Sequence, residues 1–335
     1  MNENNIKVES EIRTDGLLTV SPSPHIKNGV TTQKIMLHVI IALLPATIWG
    51  IIVFGGYAAA IVAISVVSCM FFEMASQKLL KRKSTVSDLS AVVTGLLLAM
   101  NLPSTVNLLI PIVGSFFAIV VVKQLFGGIG KNFLNPALAA RVFLFLSWSD
   151  QMAAFKAPFG ADIEAYATPL ASLKEGGTAG AEILDLFIGK IGGCIGEVSA
   201  LLLLVGAIYL IAMKVITWHI PVSYLGTVAI ITFIFPQGGA SNLEFMLTQL
   251  LSGGLMLGAL FMATDYVTSP VTAKGRVIFG IGCGLLTVFF RYFSSYPEGV
   301  SFSILVMNAL VWYIDKATKP RVFGTGKKNA EVAKK

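Results

Sequence analysis

Apolar residues in this chain gather into long runs separated by short polar stretches, without the two-residue alternation that marks the strands of a membrane β-barrel. Runs of about 17 to 25 apolar residues begin near Ile35, Tyr57, Leu108, Val198, His219, Val277 and Ser301. Three shorter ones cover about residues 89 to 102, 136 to 148 and 249 to 263. A bilayer core of about 30 Å needs about 20 apolar helical residues to cross it, so the pattern predicts an all-α polytopic membrane protein of about ten transmembrane helices. The short runs also fit half-helices that stop in mid-membrane.

Composition agrees. Of 335 residues, 55% are hydrophobic and 13% charged, where a soluble domain carries roughly 25% charged residues. The formal charge of +7 is spread in short clusters between apolar runs and not along one basic face, which argues for topology signals and against nucleic acid. Lys27 and Lys34, the loop with Lys78, Lys81, Arg82 and Lys83, then Lys123 and Lys131, Lys214, Lys274 with Arg276, and the tail from Lys316 all fall on one side of a ten-crossing arrangement. Both termini are then expected in the cytoplasm, at a cytoplasmic (inner) membrane. The resulting division is a cytoplasmic arm (1–34), a first membrane repeat (35–148), an external segment (149–193), a second membrane repeat (194–316) and a basic cytoplasmic tail (317–335). Five crossings on either side of the external segment give two inverted repeats. "GLLLAMN" from Gly95 and "GLMLGAL" from Gly254 echo each other, as do Gly130 with Phe133 and Gly299 with Phe302.

Cys69, Cys194 and Cys283 are far apart, and no cysteine pair or histidine cluster suggests a metal centre; they read as small apolar side chains. Polar residues between apolar runs are more informative. "LFGGIGKNFLNPALAARVF" places Gly127, Gly128, Asn132 and Asn135 where backbone amides can meet a polar or anionic ligand, although a tight re-entrant turn fits the same spacing. "MNLPSTVN" supplies Asn101 and Ser104, "MATDYVTSPVTAKGR" supplies Asp265, and "SSYPEGVSF" supplies Tyr296 and Glu298. Each fits a surface loop or the lining of a cavity. Ionisable residues in or beside spans are costly and mark candidate ion paths: Glu73, Arg141, Asp265 and Arg291. Arg291, and in the same way Glu73 beside the basic loop, also fit snorkelling to the interface.

"SPSPHIKNGVTTQKIM", "GGIGKNFLNPA", "MATDYVTSPVTAKG" and "YPEGVSFSILVMN", in this order and spacing, resemble the D subunits of Rnf electron-transport complexes and, more distantly, the B subunits of sodium-pumping NADH:quinone reductases. The resemblance covers the membrane region almost end to end. It implies a urea-transporter-like bundle with FMN joined through its phosphate to a threonine, in a pattern with Asp six positions earlier and Ala just before the acceptor. Asp162, Ala167 and Thr168 match, whereas Ala165 and Tyr166 replace the usual Ser or Thr and Gly. Thr178 is a fallback acceptor without that Asp and Ala.

The implied activity is that of one subunit of a ferredoxin:NAD oxidoreductase that moves sodium or protons. Its expected partners are further membrane subunits, a second flavin-bearing subunit, soluble iron–sulfur and NAD-binding subunits, a flavin transferase and membrane lipid. A second, noncovalent flavin such as riboflavin is left open. Within this reading Asn101, Ser104, Tyr296 and Glu298 are expected at the FMN pocket. Gly127, Gly128, Asn132 and Asn135 are expected at an inner polar or second flavin site, and Asp265 and Glu73 on the ion path. The rival from another class is a flavin-free channel or secondary transporter on the same scaffold, since fold does not fix function.

Overall fold

The computed structural model describes residues 30–160, 168–174, 182–237, 241–294 and 298–320. Residues from Thr32 onward form one compact unit. Among the described residues the secondary structure is helical, and an isolated antiparallel bridge pairs Pro103 with Cys194. The apolar helices are α1 (Thr32–Phe54), α2 (Gly56–Leu79), α3 (Ser90–Met100), α4 (Leu109–Gln124), α5 (Pro136–Ser147), α6 (Ala200–Ala212), α7 (His219–Ile234), α8 (Asn242–Leu251), α9 (Leu255–Met262), α10 (Ala273–Phe293) and α11 (Val300–Thr318).

Four of these, α1, α2, α10 and α11, are long and apolar enough to cross a membrane, and α8 with α9 makes a fifth span if the bent pair counts as one. On α1 the exposed residues Leu37, Ile41, Leu44, Ile48 and Ile52 recur at helical spacing, and Ile278, Ile281, Leu285, Phe289 and Phe293 do the same on α10. Such stripes of bare apolar side chain suit lipid and not water. The chain is a multi-pass membrane protein.

Apolar runs and helices do not coincide everywhere. The runs expected from Leu108, Val198 and His219 yield helices shorter than a full span: α6 has 13 residues and α7 has 16. Lys214, with φ of 57°, follows the end of α6 and cannot extend a right-handed helix. Between α8 and α9 the axis turns by 62°. Gly253 and Gly254 sit there at φ of 69° and 67°, a conformation other residues adopt only at a cost. Among its described residues, the segment from Ser149 to Gly193 holds three short α-helices, Ser149–Ala153, Pro169–Lys174 and Ile183–Ile188, and a 3-10 turn, Pro158–Gly160. The second half of α4, Phe117–Gln124, and most of α9, Gly258–Met262, are π-helical, a local widening that recurs at functional sites.

Glycines set the closest crossings. A Cβ on Gly95 of α3 would come within 2.7 Å of the Val66 backbone in α2, and one on Gly284 of α10 within 2.7 Å of Thr227 in α7. Small residues of this kind let helices approach closely enough for dispersion contacts to hold them where lipid offers no hydrophobic drive. The packing order repeats along the chain: α2 lies on α3 and α4, and α4 on α5, while α7 lies on α8 and α10, and α10 on α11. In addition α1 packs on α6, and α5 on α11.

Lys123 departs from its expected place. It is not a loop charge between spans but the penultimate residue of α4, 3% exposed and fully inside the bundle. The apolar run around it is long enough for the helix to carry the lysine inward, where an acid receives it.

Candidate functional site

Two ion-paired sites lie inside the apolar bundle among the described residues, and the first is built around Arg141. Asn135 caps α5 by accepting from the amides of Ala137 and Leu138 at 3.1 and 3.3 Å, and Pro136 occupies the first turn, where no amide is needed. The helix so started carries Arg141 inward on its second turn. Its guanidinium donates to Asn101 Oδ1 at 2.7 Å, to Glu197 Oε1 at 3.4 Å, to Cys194 Sγ at 3.7 Å and to Glu298 Oε2. Asn101 stands at the end of α3, with its own amide donating to the Leu97 carbonyl at 2.7 Å. The segment that brings Cys194 and Glu197 is pinned by Ile195 N–H to Leu102 O at 3.0 Å and Gly196 N–H to Met100 O at 2.7 Å. Ligand atoms of Cys194, Glu197 and Glu298 lie within 4.8 Å of one another, all three engaged by Arg141. Buried carboxylates survive in such a place only when a cation answers them.

Thr168 begins a short helix that is linked to this cluster through the α8–α9 break. It is not displayed on an open loop: it is 8% exposed, and its Oγ1 accepts from the Ala171 amide at 3.3 Å to start the helix Pro169–Lys174. That helix packs on α8, with Leu170 pressed against Gly253. The next residue, Gly254, lies so close to Glu197 that a Cβ there would stand 2.6 Å from Oε1. The α8–α9 break therefore lies between the helix that Thr168 starts and the Arg141 cluster. The structure brings Asn101 and Glu298 together, through Arg141. Ser104 is buried nearby in the chain, and its hydroxyl has no partner among the described residues. Asp162, Ala165, Tyr166, Thr178 and Tyr296 lie outside the described residues.

Arg291 corrects the expectation of snorkelling. It is 4% exposed and donates to Gln249 O and Oε1 at 2.5 and 2.9 Å and to Ser252 O at 3.0 Å. The broken α8–α9 pair leaves carbonyls without helical partners, and the five donors of an arginine suit them.

The second site lies at the other end of α3. Glu73 is completely buried and does not snorkel either; Lys123 Nζ contacts its two oxygens at 2.8 and 3.0 Å and donates to Ser90 Oγ at 2.6 Å. Gln77 and Gln124 each donate to Glu73 Oε1 at 3.2 Å. Beside this pair opens a cavity whose polar lining includes Ser90, Lys123, Asn132, Asn135 and Asp265. Asp265 accepts from Thr268 Oγ1 at 3.1 Å and forms none of the ion pairs found among the described residues. Gly127 and Gly128 do not line this cavity; at φ of 119° and 94° they end α4, with the Gly128 amide closing on the Lys123 carbonyl at 3.0 Å.

α3 and α9 connect the two sites in opposite directions. Ser90 starts α3 beside Lys123 and Asn101 ends it beside Arg141, whereas Gly254 precedes α9 beside Glu197 and Asp265 follows it at the cavity. At 1.5 Å per residue, α3 separates the sites by roughly 16 Å.

Sequence reasoning singled out Arg141, Asn101, Glu298, Glu73 and Asp265 but passed over Glu197 and took Cys194 as packing. Cys194 is buried as expected and also accepts from Arg141. The available signal was "GGCIGEVSA", an acid amid glycines at the very entrance of an apolar run.

Fold and sites together define a polytopic helical membrane protein with two buried charge clusters joined by short, antiparallel helical segments. Residues 19–324 match the model of the NQR2, RnfD, RnfE family, and the chain belongs to that family. It is 51% identical over 318 residues to the D subunit of the Na(+)-translocating ferredoxin:NAD(+) oxidoreductase complex of Acetobacterium woodii, covering 94% of this chain and 98% of the relative. It is 40% identical over 330 residues to the D subunit of the proton-translocating ferredoxin:NAD(+) oxidoreductase complex of Clostridium ljungdahlii, covering 95% and 99%. The D subunit of an ion-translocating oxidoreductase complex of Stutzerimonas stutzeri is 41% identical over 327 residues, covering 88% and 92%.

Proposed function

We propose that this chain is the D-type membrane subunit of an ion-translocating ferredoxin:NAD oxidoreductase, that it carries FMN esterified to Thr168, and that it contributes to the ion path. The observation that carries this reading is that Thr168 is buried at the start of a short helix whose Leu170 packs on the α8–α9 break, and that break in turn meets Glu197 of the Arg141 cluster. The residues present fit such a group. Thr168 offers the hydroxyl, while Arg291 Nε and Ser104 Oγ are buried polar atoms that lack partners among the described residues. Bound FMN would supply an electron relay. The chain's own part is to hold the relay at one end of α3 and α9 and to keep a polar cavity at the other, where Asp265 faces Lys123 and the Glu73 pair. Apolar walls with a few polar groups also suit a noncovalent flavin such as riboflavin in that cavity.

The repeated packing order supports ten crossings in two inverted five-helix repeats of urea-transporter type: α1 to α5, then α6 to α11 with α8 and α9 as one broken span. On that plan the Thr168 end faces outward, within reach of a flavin transferase, and both termini are cytoplasmic. The partners are the other subunits of such a complex, which hold the iron–sulfur and nicotinamide sites.

The test is covalent flavin. Full-length protein made with its transferase should give a fluorescent band on a denaturing gel, and Thr168→Ala should abolish it while the protein stays in the membrane. Undiminished fluorescence in that variant would move the attachment site. No fluorescence in the wild type would favour a flavin-free transporter.

A further inference from the structure

Of the three buried basic side chains described above, two are answered directly by acids: Lys123 by Glu73, and Arg141 by Glu197 and Glu298. Arg291 has no carboxylate within ion-pairing distance among the described residues. Its hydrogen bonds go to neutral oxygens of Gln249, Ser252 and Gly253, and its Nε–H meets no acceptor there. Glu197 and Glu298 act on it only as more distant charges. A guanidinium removed from water with a donor left over is an unfinished site.

Its position names what completes it. Arg291 Nη2 stands 3.1 Å from where a Cβ on Gly253 would sit, and the Leu170 side chain presses on the same point. Thr168 is two residues before Leu170, and Cα atoms two apart in a helical turn are about 5.5 Å from each other. Leu170, Lys174, Gln249 and Arg291 share the wall of one narrow cleft. The Arg141 cluster cannot take the same part, since two glutamates against one arginine leave it formally negative.

We propose that Arg291 is the counter-charge for an anionic phosphoester carried on Thr168. This rests on the flavin reading and adds to it the residue that receives the phosphate. The phosphate of such a diester is negative at neutral pH, and the arginine fork presents paired donors to anionic oxygens. The same side chain then ties the modified segment to the α8–α9 break, so attachment of the flavin tightens the bundle at that end.

A thermodynamic cycle on the full-length chain in detergent tests this, with Arg291→Gln made in the flavinylated protein and in Thr168→Ala. Two readouts are taken: covalent flavin per chain on a denaturing gel, and the apparent Tm. A charge-assisted contact predicts that Arg291→Gln lowers Tm by about 3–5 °C more in the flavinylated protein than in Thr168→Ala. Equal losses in both backgrounds would mean that Arg291 only clamps the helix break, and would overturn the proposal while leaving the flavin reading intact. If Arg291→Gln does not fold, Arg291→Lys carries the same comparison, because it keeps the charge and loses the fork; equal losses overturn the proposal again. Wild-type protein without denaturation-resistant flavin would overturn the flavin reading and this inference with it.

Discussion

Lys123 and Glu73 meet where neither charge reaches solvent, so removing one strands the other. Lys123→Met is expected to cost about 3–5 kcal/mol, and Lys123→Met with Glu73→Gln should recover most of that loss, because a neutral glutamine can still bond Gln77, Thr85 and Gln124. Thermal or denaturant unfolding in detergent measures both; a double variant no better than the single one would show that the pair is not what the lysine serves. Of these two residues only the acid was visible as a candidate from the sequence. Glu73 sits in an apolar run where any acid draws notice, whereas Lys123 lies near a glycine-rich turn and reads as a loop charge. Glu197 gave less still, since its part depends on an arginine 56 positions away.

The α8–α9 break is the element on which the first site turns. Gly254 holds φ of 67° with Glu197 Oε1 where a methyl group would go, so Gly254→Ala should lose about 1–2 kcal/mol to backbone strain and displace the Glu197 carboxylate from Arg141. The check is unfolding of Gly254→Ala beside Gly226→Ala, a position where an added Cβ meets nothing within 4 Å. Equal stability of the two variants would remove the strain argument. The existence of these elements was legible: each expected apolar run contains a helix or the broken pair. Their ends were not. Helix α6 stops just before Lys214, whose φ is positive, and α8 starts before the apolar run does, with Ser241 accepting from the Glu244 amide as its cap. A cap is one side-chain bond and leaves no mark on hydropathy.

For the whole molecule, the pseudo-two-fold plan proposed above predicts an orientation in the membrane from the distribution of Lys and Arg. Cysteine placed at Glu175 should react with an impermeant thiol reagent in intact cells, and cysteine at Lys328 should not. The reverse pattern would invert the topology and take Thr168 away from an external transferase. Lys123 no longer counts toward that orientation, because it is buried inside α4; the remaining basic clusters still point the same way.

Hydropathy is a property of short stretches of chain, which is why length, composition and run positions were enough to read a helical membrane protein and the places of its apolar helices. Partnership between charges is not local. Glu73 finds Lys123 50 positions on, Arg141 finds Glu298 157 positions on, and no periodicity or propensity links them. Folding decided that Arg291 turns inward, that Thr168 is covered and that Glu197 joins Arg141. In an apolar bundle each polar group must find a partner in the fold, and only the packed arrangement of all the helices determines which partner is within reach.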